Sequence, residues 1–199
     1  IAEQNGAIVS IGRWVMEEGI RQFAKWRHMQ EESLVLSINV SAIQYMKDGF
    51  VDELMQLLST YQVHPQEVEL EITESVLIED FDKVTAKLRA LRGFGIRVSL
   101  DDFGTGFSSL SYLKKLPIDT LKVDKSFIDT VLSDSATRVI TESIISMVRT
   151  LGLETIAEGV EQEQQYKYLH AIGCDVIQGY YFGRPLPVQE MEALLEKMA

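Results

Sequence analysis

The chain has 199 residues, 46% of them hydrophobic and 25% charged, the make-up of a single water-soluble globular domain with a sizeable core. Its net charge of −11 argues against a nucleic-acid backbone or an anionic membrane as the main partner, although an acidic protein still binds a phosphate ligand where metal ions supply local positive charge. One cysteine, Cys174, excludes an internal disulfide framework and fits a reducing cytoplasm, and no apolar run reaches membrane-spanning length or resembles a signal peptide.

Over residues 7–29, Ile8, Ile11, Val15 and Phe23 fall at helical spacing, while Arg13, Glu17, Arg21 and Lys25 form a charged stripe. This predicts a surface helix laid on a core, with Trp14 and Trp26 as packing residues. Residues 34–41 are apolar and β-branched and predict a buried strand in which Asn39 is the anomaly. An amide inside a core costs on the order of 1–3 kcal/mol unless it finds a partner. A second amphipathic helix follows over 49–61 on Phe50, Leu54, Leu57 and Leu58, stopped near Pro65. Residues 68–74 then alternate with a period of two, Val68, Leu70 and Ile72 on one face and Glu69, Glu71 and Thr73 on the other. In a closed barrel the apolar face meets the helices and Glu71 points to the barrel axis.

Helix signals run through Val84, Leu88 and Leu91 to Gly93 and Gly95. A strand with Val98 and Leu100 follows and ends abruptly in Asp101, Asp102 and a glycine-broken loop. Two like charges about 4 Å apart repel by roughly 4 kcal/mol at an effective dielectric near 20. A divalent cation relieves this, and oxygen ligands suit Mg²⁺ or Mn²⁺; a solvated Asp-Asp turn is the plain alternative. Next come a short helix around 110–116 and a strand over 120–124, whose alternation sends Lys122 to the face opposite the helices. A helix over 136–151 is built on Val139, Ile140, Ile144, Met147 and Val148, followed by a strand over 154–158, a helix over 162–172 and a strand over 175–178. A Gly-Tyr-Tyr-Phe-Gly-Arg-Pro loop and a helix over 188–197 close the chain.

Strand alternating with helix demands a parallel α/β sheet with right-handed crossovers. About six strands, by count alone, suit an open doubly wound sheet better than an eight-stranded barrel. The polar residues favour the barrel. Asn39, Glu71, Asp101, Asp102, Lys122, Glu158 and Gln178 stand at or near the C-terminal ends of successive strands, where barrel enzymes assemble their sites.

Six stretches in order carry a family resemblance: Ser37-Ile38-Asn39-Val40-Ser41-Ala42, Glu69-Leu70-Glu71-Ile72-Thr73-Glu74-Ser75, Asp101-Asp102-Phe103-Gly104-Thr105-Gly106, Leu121-Lys122-Val123-Asp124, Ala157-Glu158-Gly159-Val160-Glu161 and Gln178-Gly179-Tyr180-Tyr181-Phe182-Gly183-Arg184-Pro185. Together they resemble the EAL domains that hydrolyse cyclic di-GMP, over essentially the whole chain. The resemblance implies an α/β fold, a TIM-like (β/α)8 barrel of the EAL type. The family's Glu-Ala-Leu motif and the strand before it have no counterpart here. Residues 1–199 are therefore expected to be an N-terminally incomplete EAL domain with about six of the eight βα units, an open seam and unpaired strand edges.

By the same resemblance, Asn39, Glu71 and Asp101 ligate one Mg²⁺ or Mn²⁺, and Asp101 bridges to a second ion held also by Asp102 and Glu158. Such a pair clamps the attacking and leaving oxygens of an in-line phosphodiester displacement. Lys122 orients the water or stabilises phosphorane charge, and Glu74 anchors the Asp-Asp loop. Gln178, Glu161, Arg184 and Pro185 line the substrate or steady the ligands. The implied product is the linear dinucleotide pGpG, with Ca²⁺ inhibitory. The resemblance also implies a homodimer packed near the Asp-Asp loop, fusion to other signalling domains and a cytoplasmic location, without DNA, RNA or membrane contact.

The alternative within the family is a catalytically inactive domain that holds cyclic di-GMP as a receptor or regulatory module. An enolase-type barrel with Lys122 as base fits the Asp-Asp pair and the Gln178 loop less well. A kinase reading of Asp102-Phe103-Gly104 fails for want of a His-Arg-Asp catalytic loop and a glycine-rich loop. His28, His64 and His170 read as surface or packing residues, Lys114 and Lys115 as a solvated helix end, and Cys174 as a small core residue. Tyr180, Tyr181 and Phe182 read as core rather than as a stacking surface for guanine.

Overall fold

The periodicities of the sequence become six strands and eight helices among the residues described by the computed structural model, 1–29, 34–76, 80–104 and 113–198. These residues form two compact units, one of residues 1–98 with the chain from Pro185 onward, the other of residues 99–184.

The first unit holds α1 (Ala7–Trp26), β1 (Leu36–Val40), α2 (Ala42–Met46), α3 (Phe50–Thr60), β2 (Val68–Thr73), α4 (Phe81–Phe94) and α8 (Val188–Met198). β1 and β2 pair in parallel, and Asn39 stands opposite Glu71. Val68, Leu70 and Ile72 are fully buried, and Glu69 and Glu71 are buried on the other face, so β2 is covered on both sides. Arg97 Nε lies 3.4 Å from Glu69 Oε2, giving that buried carboxylate a counter-charge. α4 begins and ends on residues suited to both tasks. Asp80 accepts from the Lys83 amide as N-cap, and Gly95 closes the helix in the left-handed conformation, at φ 94°.

Two expectations for this unit are corrected. In α1 the buried stripe is Met16, Ile20 and Phe23, whereas Ile11 and Val15 are exposed and Trp14 is 65% exposed. At about 100° per residue, Trp14 falls on the far side of the helix from that stripe, so it does not pack. Trp26 is half-buried, and its Nε1 and Gln22 Nε2 both donate to Glu192 of α8 at 3.1 Å. β1 is only half buried: Ile38 and Val40 face the core while Ser37 and Asn39 are exposed, so Asn39 carries no burial cost.

The second unit opens within β3 (Arg97–Phe103) and continues through β4 (Thr120–Val123), α5 (Lys125–Thr130), α6 (Ser135–Thr150), β5 (Glu154–Ala157), α7 (Glu163–Ala171) and β6 (Val176–Ile177). β3, β4, β5 and β6 pair in that order, each parallel to the next. Leu100, Leu121, Val123, Ile145, Val148 and Leu169 form much of its core. Each such side chain contributes about 1.5–3 kcal/mol by leaving water. Asp134 caps α6 by accepting from the Ala136 and Thr137 amides. Its buried stripe is Thr141, Ile144, Ile145 and Val148, so Val139 and Ile140, expected in the core, are exposed instead. Cys174 is buried as expected, and burial pushes its thiol up to about 11.

α2 and α5 have no signature in the apolar pattern, being shorter than two helical turns; each is announced only by its cap, Ser41 or Asp124. The helix expected around 110–116 lies partly outside the described residues. Among the described residues no helix is long and apolar enough to cross a membrane.

Candidate active site

The sheet register brings the two aspartates together. Leu100 faces Leu121 and Phe103 faces Val123, so Asp101 and Asp102 stand together against Lys122 alone. In a regular strand consecutive side chains point to opposite faces. Here a β-bulge inserts one residue, and Asp102 takes a left-handed φ of 57°, a conformation costing on the order of 1–3 kcal/mol that aspartate tolerates better than most. The Asp102 amide donates to Asp101 Oδ1 at 2.9 Å, which fixes the turn.

Glu158 arrives from the end of β5. Its amide donates to the Val123 carbonyl at 3.2 Å, extending the β4–β5 ladder by one residue. Carboxylate oxygens of Asp101, Asp102 and Glu158 then lie within 4.8 Å of one another. The Lys122 ammonium, buried at 2% exposure, sits 2.6 Å from Glu158 Oε1 and 3.3 Å from Asp101 Oδ1. Three carboxylates around one ammonium leave negative charge in excess. Burial, and then the charges of Asp101 and Asp124, push the Asp102 carboxyl above its usual range against the pull of Lys122. Hard oxygen donors crowded in this way, with unbalanced negative charge, suit a divalent cation.

A cleft of about 290 Å³ adjoins the cluster, lined by Glu158, Gly159, Glu161, Gln178, Gly179, Tyr180 and Lys125. Its walls are the loops after β5 and β6, tied together by Gln178 N donating to Ala157 O at 2.9 Å and Val160 N donating to Gln178 O at 3.0 Å. A Cβ at Gly179 would lie 2.1 Å from the Val160 carbonyl oxygen, so only glycine permits this approach. Lys125 Nζ joins Asp129 at 2.5 Å and Glu161 at 3.0 Å, and these carboxylates hold its ammonium above the ordinary lysine range. The Arg184 guanidinium lies over the Tyr180 ring, 4.6 Å from its centre.

Tyr180, Tyr181 and Phe182 are exposed at 51%, 40% and 59%, which corrects their reading as core. β6 is only two residues long, and the chain then folds back along the surface, with Tyr181 N donating to Val160 O at 2.9 Å. Tyr181 and Phe182 pack on Tyr166 at ring distances of 5.8 and 5.7 Å.

Of the residues singled out in the sequence, Asp101, Asp102, Lys122 and Glu158 are thus gathered in one cluster, and Gln178 and Glu161 line the cleft beside it. Arg184 covers Tyr180 at the cleft wall, and Pro185 is exposed. In the first unit Asn39 and Glu71 are opposite each other at the end of the β1–β2 pair, and Glu74 is buried in the turn that follows β2. The Asp-Asp loop over 105–112, with its expected anchoring by Glu74 and its expected dimer contact, lies outside the described residues. Sequence reasoning missed Lys125 as a cleft residue; the charged Asp124-Lys125 pair directly after a strand end was the available signal. It also missed the bulge, which has no signature in the sequence of β3 by itself.

The EAL domain family model matches residues 1–185. The signalling protein YkoW of Bacillus subtilis is 42% identical over 98% of this chain and 24% of its own length. The bifunctional diguanylate cyclase/cyclic di-GMP phosphodiesterase MucR of Pseudomonas aeruginosa is 40% identical over 97% of this chain and 28% of its own. The chain thus spans about a quarter of the length of these curated relatives. Among solved structures, the PaMucR phosphodiesterase in complex with c-di-GMP superposes with a TM-score of 0.91 at 40% identity, covering 96% of this chain and 77% of that one. A manganese/cyclic di-GMP complex of Klebsiella pneumoniae BlrP1 superposes with a TM-score of 0.80 at 28% identity, covering 89% of this chain and 45% of that one.

Proposed function

Since the chain belongs to the EAL domain family and has the TIM-like α/β fold of its structures, we propose that it hydrolyses one phosphodiester of cyclic di-GMP to linear pGpG, with Mg²⁺ or Mn²⁺ held by Asp101, Asp102 and Glu158. The observation that carries this reading is the convergence of those three carboxylates around the buried Lys122. Asn39 and Glu71 belong to the proposal as further ligands, on the strength of their motifs and their paired place at the ends of β1 and β2.

Such ions, when bound, supply Lewis acidity to phosphoryl oxygens and acidify a water. The chain's own residues do the rest. Lys122, 2.6 Å from Glu158 and 3.3 Å from Asp101, offers positive charge in a dry place where phosphoryl negative charge grows. Gln178 offers the cleft an amide with both donors and an acceptor, and Glu161 a carboxylate steadied by Lys125. Tyr180, backed by Arg184, offers a flat aromatic face. Without cations the cluster repels a phosphodiester, so activity depends on metal. Ca²⁺, which takes oxygen ligands at about 2.3–2.6 Å against about 2.0–2.1 Å for Mg²⁺, is proposed to inhibit. A homodimer through the Asp-Asp loop, attached signalling domains and a cytoplasmic location complete the proposal.

The test is hydrolysis of cyclic di-GMP by the full-length protein in Mg²⁺, Mn²⁺, Ca²⁺ and EDTA, with the product separated from substrate. Linear pGpG in Mg²⁺ or Mn²⁺ alone supports the proposal. Tight binding without turnover makes the domain a receptor, and neither binding nor turnover confines the likeness to the fold.

A further inference from the structure

We propose that α5, a helix of less than two turns between β4 and α6, is the strut that sets the spacing of the carboxylate cluster, with Phe127 on it and Gln165 of α7 as the main positioning residues and Lys125 as a lesser one. The inference rests on the metal-centre reading above and concerns residues outside the ligand set.

Both carboxylate-bearing loops of the second unit lean on this helix. On one side, Gly104 follows Asp102 by two residues and has a φ of +100°. A Cβ there would lie 2.6 Å from Phe127 Cε2 and 2.8 Å from Cζ, so the Phe127 ring fills the space where a side chain would stand. The turn that ends the Asp101–Asp102 bulge is thereby held against α5. On the other side, Gly159 directly follows Glu158, and a Cβ on it would lie 2.4 Å from Lys125 Cγ. The same lysine reaches Glu161 Oε1 at 3.0 Å.

A third tie is buried. Gln165, 3% exposed, donates from Nε2 to the Ile128 carbonyl of α5 at 3.0 Å. Its Oε1 accepts from the amides of Glu161 at 2.9 Å and Gln162 at 3.0 Å. One side-chain amide therefore links the strut to the backbone of the turn that carries Glu158. α5 is itself anchored: Asp124, two residues beyond Lys122, caps it by accepting from Ser126 N at 3.0 Å, and Ile128 is fully buried. Groups that hold ligands in place without touching the ion typically change metal affinity by about 10–100-fold when removed. The Lys125 ion pair is exposed and contributes less.

The experiment is a titration of the full-length protein with Mn²⁺ alone, free ion being read by electron paramagnetic resonance, alongside thermal melts of each variant in EDTA. Phe127→Ala and Gln165→Leu are each expected to weaken Mn²⁺ binding by about 10-fold or more, Lys125→Ala by about 3-fold, and Phe127→Leu to recover part of the loss. Turnover of cyclic di-GMP by Phe127→Ala and Gln165→Leu at saturating Mn²⁺ should return close to the parent value, because the ligands and the cleft side chains are intact. If the parent binds Mn²⁺ and the folded variants bind it equally well, the strut is refuted and the metal centre stands. If the parent binds no Mn²⁺, both fall. Should Phe127→Ala fail to fold, Gln165→Leu and Phe127→Leu decide the matter by the same readout.

Discussion

Replacing Lys122 by methionine keeps much of the side chain's volume and removes its charge. The ammonium lies 2.6 Å from Glu158 and 3.3 Å from Asp101, at 2% exposure. At an effective dielectric near 20 these contacts are worth roughly 6 and 5 kcal/mol of Coulomb attraction. Most of that is offset by the cost of removing the ions from water, and breaking one buried pair by deleting a partner costs about 3–5 kcal/mol net. In a domain of this size that lowers the melting temperature by about 6–20 °C. The loss should be largest in EDTA, where nothing replaces the missing charge, and smaller in Mn²⁺. Turnover should fall about 100- to 1000-fold, the usual cost of deleting a preorganised group that stabilises developing charge. Differential scanning fluorimetry in EDTA and in Mn²⁺, with a pGpG assay at saturating metal, measures both. A variant that melts like the parent in EDTA, or turns over within a few-fold of it, refutes the electrostatic role given to Lys122.

Asp101→Asn should lower turnover at least about 100-fold and weaken Mn²⁺ binding while leaving the far-ultraviolet circular dichroism unchanged; near-normal turnover sinks the metal assignment. Glu74→Ala, which removes a buried carboxylate from the turn after β2, should reduce metal-dependent activity about 10-fold, and a parent-like rate with parent-like metal affinity removes its anchoring role. Cys174 sets an alkaline limit. Its thiol is pushed from 9.0 up to about 11 in the folded protein, so between those pH values the unfolded chain binds fewer protons and stability falls as pH rises. The full loss is roughly 3 kcal/mol at about 1.36 kcal/mol per pH unit, and denaturant melts at pH 8 and 11 should show most of it in the parent but not in Cys174→Ala.

Several features were legible because they are local. Gly95 marks the end of α4, and the period of two over residues 68–73 marks β2, since both follow from backbone geometry within a few residues. The polar residues at the strand ends could be picked out for the same reason, because each interrupts an apolar run. What the tertiary structure decided depends on neighbours distant in sequence. Which stripe of α1 or α6 is buried is set by the packing partner, and so Trp14, Val139 and Ile140 are exposed despite their apolar spacing. Asn39 escapes a burial cost because only one face of β1 is covered. Asp101 and Asp102 act together because the register of β3 against β4 inserts a bulge there, a property of two strands and not of either alone. Lys122 joins that cluster because β4 lies between β3 and β5, which puts its ammonium within reach of carboxylates 21 positions back and 36 positions ahead in the chain.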